Sequence, residues 1–297
     1  MRLARAIVAS VAALTLCATA PGETLAHSRV RARTRESSAA TALDARVTGT
    51  FAMLARVTAA KHVRGERVGQ SLTRRWLISP QSCAQSVCQA LELNRERSAG
   101  IDESLTLQRV AVGTYVGGSS FYVALRCKHR TYPHGSRAPY RITLTISGTV
   151  SVQGIAFARM ITATYQNTER SDSTPCVLGP SHDAARYTGS ATSAIPSPPV
   201  ASFATQANGA TDSASFTDTS TPAPGGAPIV STQWGFGDPA SGASDSSTEA
   251  APSHQFSAPG VYTVTLTVTD ENGLSSTSTQ SVTVPGPSQA ADHFASA

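Results

Sequence analysis

From Val47 to Val57 small or apolar residues recur at every second position, and from Arg141 to Ser147 apolar and polar residues alternate one for one. A period of two places every second side chain on one face of an extended strand, and a helix cannot present that pattern to a single core. In the first run Val47, Gly49, Phe51, Met53, Ala55 and Val57 share a face, with Thr48, Thr50, Arg56 and Thr58 on the other. In the second, Ile142, Leu144 and Ile146 oppose Arg141, Thr143, Thr145 and Ser147, as expected of a strand buried on one side. Trp76 with Ile78, Leu91 with Leu93, Leu105 with Leu107, then Phe121, Val123, Leu125 and Cys127 continue the set, and Ile155, Phe157, Ile161, Ala163 and Tyr165 complete it. Gly65, Pro80, Gly100, Gly117-Gly118, Pro133–Gly135, Gly148 and Gly154 read as the turns between runs. About eight antiparallel strands over residues 46–190 can close into a barrel or pack as a sandwich.

Charge divides the chain in two. Residues 27–195 hold 22 Lys/Arg against 10 Asp/Glu, whereas residues 196–297 hold eight acids and no Lys or Arg. The change falls at Pro196-Ser197-Pro198-Pro199, so residues 191–198 read as a short stiff linker between modules. Residues 27–45, with Arg29, Arg31, Arg33 and Arg35 at alternate positions and no apolar face, read as a disordered basic arm. Residues 286–297 read as a disordered tail.

The start of the chain has the layout of an export signal. Arg2 and Arg5 precede an apolar stretch from Ala6 to Leu16, which is too short for a stable anchor, and small residues follow it. Cleavage is expected after Ala26, leaving no membrane span and a secreted or cell-surface protein. Cys17 departs with the signal, so Cys83, Cys88, Cys127 and Cys176 remain. An even number of cysteines in an exported chain predicts disulfides, with three connectivities open. Cys83–Cys88, close in sequence around a hairpin, and Cys127–Cys176, closing a long loop, are the favoured pairs. A zinc site is disfavoured because Cys127 and Cys176 stand too isolated to complete it. The run from Arg75 to Cys83, with Cys88 ahead of a strand, is similar to a recurring segment of exported actinobacterial proteins of unknown role, and that similarity carries no activity.

In the acidic module, Tyr262, Val264, Leu266 and Val268 alternate with Thr263, Thr265, Thr267 and Thr269, and Asp270-Glu271-Asn272-Gly273 supplies a hairpin turn. Pro199–Phe203 opens a strand and Ala214–Ser220 a second. Gln233-Trp234-Gly235-Phe236-Gly237-Asp238 is followed by His254-Gln255-Phe256 and by Pro259–Asp270. With these residues in this order, 199–285 resembles the PKD domain, an immunoglobulin-like β-sandwich. The resemblance implies a fold with Trp234 and Phe236 packed inside. Gly235 and Pro239 depart from the family pattern and predict a longer loop over 239–252. Some PKD domains bind calcium, which makes Asp218, Asp238 and Asp270 the oxygen donors to inspect. The expected fold class is therefore all-β, a barrel or sandwich followed by a PKD sandwich.

Catalytic signatures do not accompany this fold. No G-x-S-x-G, H-E-x-x-H, P-loop or dinucleotide fingerprint occurs, so no enzyme activity, catalytic residue, cofactor or firm metal site is expected. His182-Asp183, Glu92 with Glu96, and Asp102 with Glu103 read as loop charges. Tyr115, Tyr122, Tyr132 and Tyr140 fall among Arg126, Lys128, His129, Arg130, His134 and Arg137. From that basic, aromatic-bearing stretch, Tyr122, Arg126, Lys128, Arg130, Tyr132 and Arg137 are the binding candidates. An extracellular protein or an anionic cell-envelope polymer is the expected partner, rather than nucleic acid. The reading that follows is an exported binding protein with the PKD module as spacer. The alternative is a small-ligand barrel, or an unfamiliar hydrolase with an accessory PKD domain.

Overall fold

Nine strands of the basic module form one sheet that returns to its own start. The computed structural model describes residues 44–284 apart from 64, 99–100, 128, 168–169, 173–180 and 209–210. In chain order the strands are β1 (Gly49–Lys61), β2 (Ser71–Ala84), β3 (Val87–Ser98), β4 (Ile101–Ala111), β5 (Thr114–Cys127), β6 (Arg130–Val152), β7 (Ile155–Asn167), β8 (Ser171–Asp172) and β9 (His182–Ala191). The order β5-β4-β3-β2-β1-β9-β7-β6-β8, together with the pairing of β5 with β6, closes eight antiparallel strands into a barrel. Of the two sequence alternatives, the barrel is the one formed. Closure removes the exposed sheet edges that an open sheet would leave.

The alternating residues fill the lumen. Phe51, Trp76, Ile78, Leu91, Leu93, Leu107, Ile142 and Leu144 are all fully buried. An eight-stranded barrel is narrow enough for its inward side chains to fill, and this cluster packs as one continuous core.

Several expected turns lie inside strands, each for a physical reason. Pro80 sits within β2, where Gly49 opposite Ile78 is the last residue of β1 in register. Beyond that point β2 has only β3 beside it, and a residue without N–H is tolerated on the open side. Gly117 and Gly118 lie within β5, where a Cβ would strike the Thr106 and Tyr140 carbonyl oxygens respectively. Their glycines admit close strand approach at a barrel corner. Pro133–Gly135 accommodates a register shift opposite Val123 and Leu125, and Gly148 marks another shift between β6 and β7. Gly154 is a true turn, with Gln153 and Gly154 both at positive φ between β6 and β7.

The acidic module is a two-sheet sandwich. Strands β10 (Phe203–Asn208), β11 (Ser213–Asp218) and β14 (Ser253–Gln255) form one sheet. The other is ordered β13 (Ser246–Ser247), β12 (Ile229–Gly235), β15 (Gly260–Asp270), β16 (Ser275–Val284). Phe203, Phe216, Trp234, Phe236, Phe256, Val264, Leu266 and Val268 are buried between the sheets. The expected loop after Asp238 contains a short 3₁₀ turn, Pro239–Asp245.

Barrel and sandwich are tied by hydrogen bonds. Arg46 Nε donates to the Gln85 carbonyl (2.6 Å) and its Nη1 to the Glu271 carbonyl (2.8 Å). Gln153 Nε2 donates to the Ser275 carbonyl (2.8 Å), and the Ser275 N–H returns a bond to Gln153 Oε1 (2.9 Å). The Arg46–Gln85 bond lies within the barrel and holds the Arg46 side chain in place, so replacing Arg46 and Gln153 together by alanine removes the three bonds that cross to the sandwich. Scanning calorimetry is expected to resolve two transitions in that variant where the parent shows more overlap, and an unchanged profile would contradict the coupling.

Three expectations concern residues at the edges of this description. The export signal and most of the arm lie outside the described residues. The last two arm positions are ordered, since Ala45 is buried and Asp44 pairs with Arg109 at 3.0 Å. The expected tail also lies outside the described residues. Among the described residues no helix is long and apolar enough to cross a membrane.

Candidate binding surface

The binding candidates lie where β5 and β6 outgrow the barrel. Pairing of β4 with β5 ends at Gln108 opposite Val116, and pairing of β6 with β7 begins at Arg141 opposite Gln166. Between those limits, β5 and β6 form a two-stranded ribbon, and the strand that pairs with it among the described residues is β8, at Ser136 and Arg137. Tyr122 lies opposite Arg137, and Arg126 follows on the same face about 13 Å further along β5. Tyr122 is 54% exposed, with Arg126 and Arg137 also exposed. His134 meets the Tyr122 ring edge-on, with centroids 5.0 Å apart. Arg137 Nε donates to Ser120 Oγ at 3.1 Å.

Arg130 and Tyr132 fall on the other face of the ribbon, opposite Cys127 and Leu125, where Arg130 stacks over the Tyr132 ring at 5.5 Å. The five described candidates are therefore divided between two faces, and the sixth, Lys128, lies outside the described residues. Among the described residues Arg126, Arg130 and Arg137 make no ion pair. Tyr115 and Tyr140 do not belong to the patch. Both are buried in the barrel, and Tyr115 Oη donates to the Cys88 carbonyl at 3.1 Å.

Cys83 and Cys88 form the expected disulfide across the β2–β3 hairpin. Cys127, at the ribbon's end, is also disulfide-bonded, while Cys176 lies outside the described residues.

Charged residues inside the barrel are the feature sequence reasoning missed. Arg95, 4% exposed, donates from Nε and Nη2 to Glu103 Oε2 at 3.1 and 2.8 Å. Its guanidinium lies 4.6 Å from the Tyr140 ring centre and 5.1 Å from that of Tyr165. Burial opposes the Arg95 charge, yet Glu103 and the tyrosines hold its pKa above the ordinary value. Burial also pushes the Tyr140 hydroxyl up to about 12, and Tyr165 and Tyr187 upward as well. Asp102 and Glu103 are thus not equivalent loop charges, because Glu103 points inward and Asp102 outward. His182 and Asp183 open β9 rather than sitting in a loop, and Asp183 pairs with Arg170 at 2.6 Å. The available signal was parity, since Arg95 continues the Leu91, Leu93 row and Glu103 the Leu105, Leu107 row.

The calcium candidates are not brought together. Asp238 and Asp270 stand at opposite ends of β12. Asp238 accepts from the Ser257 hydroxyl (2.6 Å) and N–H (2.8 Å) and contacts His254 Nε2 (3.3 Å). The Ser257 hydroxyl holds its carboxyl below the usual range. Asp270 accepts from the Leu274 N–H, and Asp218 from the Ser220 N–H, both at 2.8 Å. Asp218 and Asp270 are occupied with local turn geometry, and Asp238 ties its loop to Ser257 and His254. Among the described residues no group of three His, Cys, Asp or Glu could hold a metal ion.

These features define an all-β, two-module chain: a disulfide-bearing closed barrel with a basic ribbon, joined to an acidic sandwich. The family model described as PKD domain matches residues 196–284, and that part of the chain is a PKD domain. The microbial collagenase of Vibrio alginolyticus is 43% identical over 56 residues, which is 19% of this chain and 6% of that protein. The chain thus spans a small fraction of that relative's length. Among solved structures, the PKD1 domain of the Vibrio cholerae metalloprotease PrtV is 37% identical. It aligns over 30% of this chain and 99% of that one, with a TM-score of 0.26. The PKD1 domain of Vibrio anguillarum Epp is 33% identical over 31% of this chain and 100% of that one, with a TM-score of 0.27.

Proposed function

We propose that the chain is a secreted or cell-envelope binding protein without catalytic activity. In this reading the PKD domain is a spacer and contact module, and the barrel's basic ribbon is the binding element for an anionic envelope polymer or an acidic extracellular protein. The observation that carries it is the ribbon itself. Its outward face presents Tyr122, Arg126 and Arg137 beyond the barrel rim, and no carboxylate among the described residues neutralises the arginines. Guanidiniums without a carboxylate partner among the described residues, on a disulfide-bearing ribbon, suit paired hydrogen bonds to anionic groups. The export layout of residues 1–26 supports the compartment. The similarity of the sandwich to domains of a microbial collagenase and a metalloprotease supports an accessory role for that module. A packed lumen supports surface binding over enclosure of a small ligand.

The test is capture of partners from envelope fractions at low and high salt. Retention at low salt that is lost at high salt is expected, because exposed charge pairs are screened within about 10 Å at 0.1 M salt. Capture indifferent to salt would contradict the electrostatic reading.

A further inference from the structure

A second basic feature lies on the barrel wall, on the outer face of β6, β7, β9 and β1. Thr145, Thr162 and Thr188 are successive register partners across β6, β7 and β9. The next row is Thr143, Thr164 and Arg186, and Arg186 stands directly opposite Arg56 on β1. The five threonines and Arg186 line a shallow depression of about 330 Å³. Arg56 and Arg186 are both exposed, and neither has a carboxylate within ion-pair distance among the described residues. Like charges directly opposite on one sheet face destabilise it. The next outward positions on the same strand, Thr188 and Ser190, are uncharged, so an outward position here does not require a charge.

The geometry points to this wall as a binding surface for an acidic polysaccharide, with carboxylates of the polymer bridging Arg56 and Arg186 and its hydroxyls on the threonines. This rests on the proposed reading that the basic module binds a polyanion, and it names the class of polymer. Guanidinium groups take carboxylate oxygens in paired hydrogen bonds. Threonine hydroxyls both donate and accept, matching ring hydroxyls that do the same. The depression has no exposed aromatic anchor of the kind that dominates protein–protein contacts. Arg141 connects the wall to the ribbon, lying outward on β6 two residues before Thr143 and four after Arg137.

The experiment uses the full chain and calorimetric titration with three probes: polygalacturonate, poly-L-glutamate and uncharged dextran. Polygalacturonate is expected to bind more tightly than poly-L-glutamate, and dextran not to bind. Arg56→Ser with Arg186→Ser is expected to weaken polygalacturonate at least about tenfold and to flatten the dependence of log affinity on log salt. The same variant is expected to melt no lower than the parent, because a repulsive pair has been removed. Equal affinity for the two acidic polymers, unchanged affinity in the variant, or a lower melting temperature would each overturn the proposal. The ribbon reading is separated by Arg126→Ser with Arg137→Ser. If that variant loses polyanion binding while the wall variant keeps it, the wall proposal fails and the ribbon reading stands. If the parent binds neither acidic polymer, both fail.

Discussion

Replacing Glu103 by alanine is expected to destabilise the barrel by about 3–5 kcal/mol, the range found when one partner of a buried ion pair is removed. Arg95 is 4% exposed, and Glu103 is its carboxylate partner. Without it the guanidinium stays between the Tyr140 and Tyr165 rings with no counter-charge and no route to water. The tyrosine faces offset part of that loss, on the order of 0.5–2 kcal/mol. A second variant separates charge from packing. Arg95→Met with Glu103→Leu removes both charges, and its stability is expected to lie close to that of the parent. Urea unfolding followed by near-ultraviolet circular dichroism checks both. An alanine variant as stable as the parent would mean that Arg95 reaches solvent.

The same cluster predicts an alkaline limit. The Tyr140 hydroxyl is raised to about 12 in the folded barrel, above its ordinary value near 10. The unfolded chain therefore loses this proton first as pH rises. The stability linked to the neutral phenol is complete below about pH 10 and is lost progressively as pH rises toward 12. Tyr165 and Tyr187 shift in the same direction and steepen the loss. Unfolding midpoints measured across that window should fall with pH, and Tyr140→Phe should show a weaker fall.

Replacing Trp234 by alanine is the other large effect, about 3–5 kcal/mol and confined to the sandwich. Trp234 is 1% exposed, with its ring 5.2 Å from Phe203 and 5.6 Å from Phe216. Its Nε1–H donates to the Glu249 carbonyl at 2.8 Å, which fastens the loop after Asp238 to the core. Truncation leaves a cavity beneath both sheets and frees that loop. The barrel has its own core, so its transition should move little. Calorimetry should show the sandwich transition alone shifted downward.

The sandwich was legible because its signature residues are also its core. Trp234, Phe236, Phe256 and the Tyr262–Val268 row had to share a face, and they do. The barrel was legible strand by strand, since a period of two reports which residues point the same way. It does not report closure, which depends on β5 meeting β6 across a glycine corner that sequence reads as a turn. Nor does residue type reveal which face of a mixed strand is inside. Tyr140 groups with surface arginines because the loop-like 126–137 stretch outweighs its parity with Ile142 and Leu144, and Tyr115 joins the core only through its register with Leu144. Glu103 reads as a solvated charge because charge is seldom buried, and Arg95 draws no reading at all, although both positions continue inward-facing rows. The Arg56–Arg186 pair was invisible for a further reason: the two residues lie 130 positions apart and meet only through register.

The most direct test of the account is the salt dependence of binding by the ribbon. Affinity of the full chain for an acidic polymer fraction would be measured by titration from low to high salt, beside a variant with Arg126 and Arg137 changed to serine. The account predicts a steep fall of affinity with salt for the parent. The variant should bind more weakly at low salt and follow a shallower slope, reduced by roughly two units on the logarithmic plot. Parallel slopes and equal affinities for the two proteins would contradict the claim that the basic ribbon is the binding head.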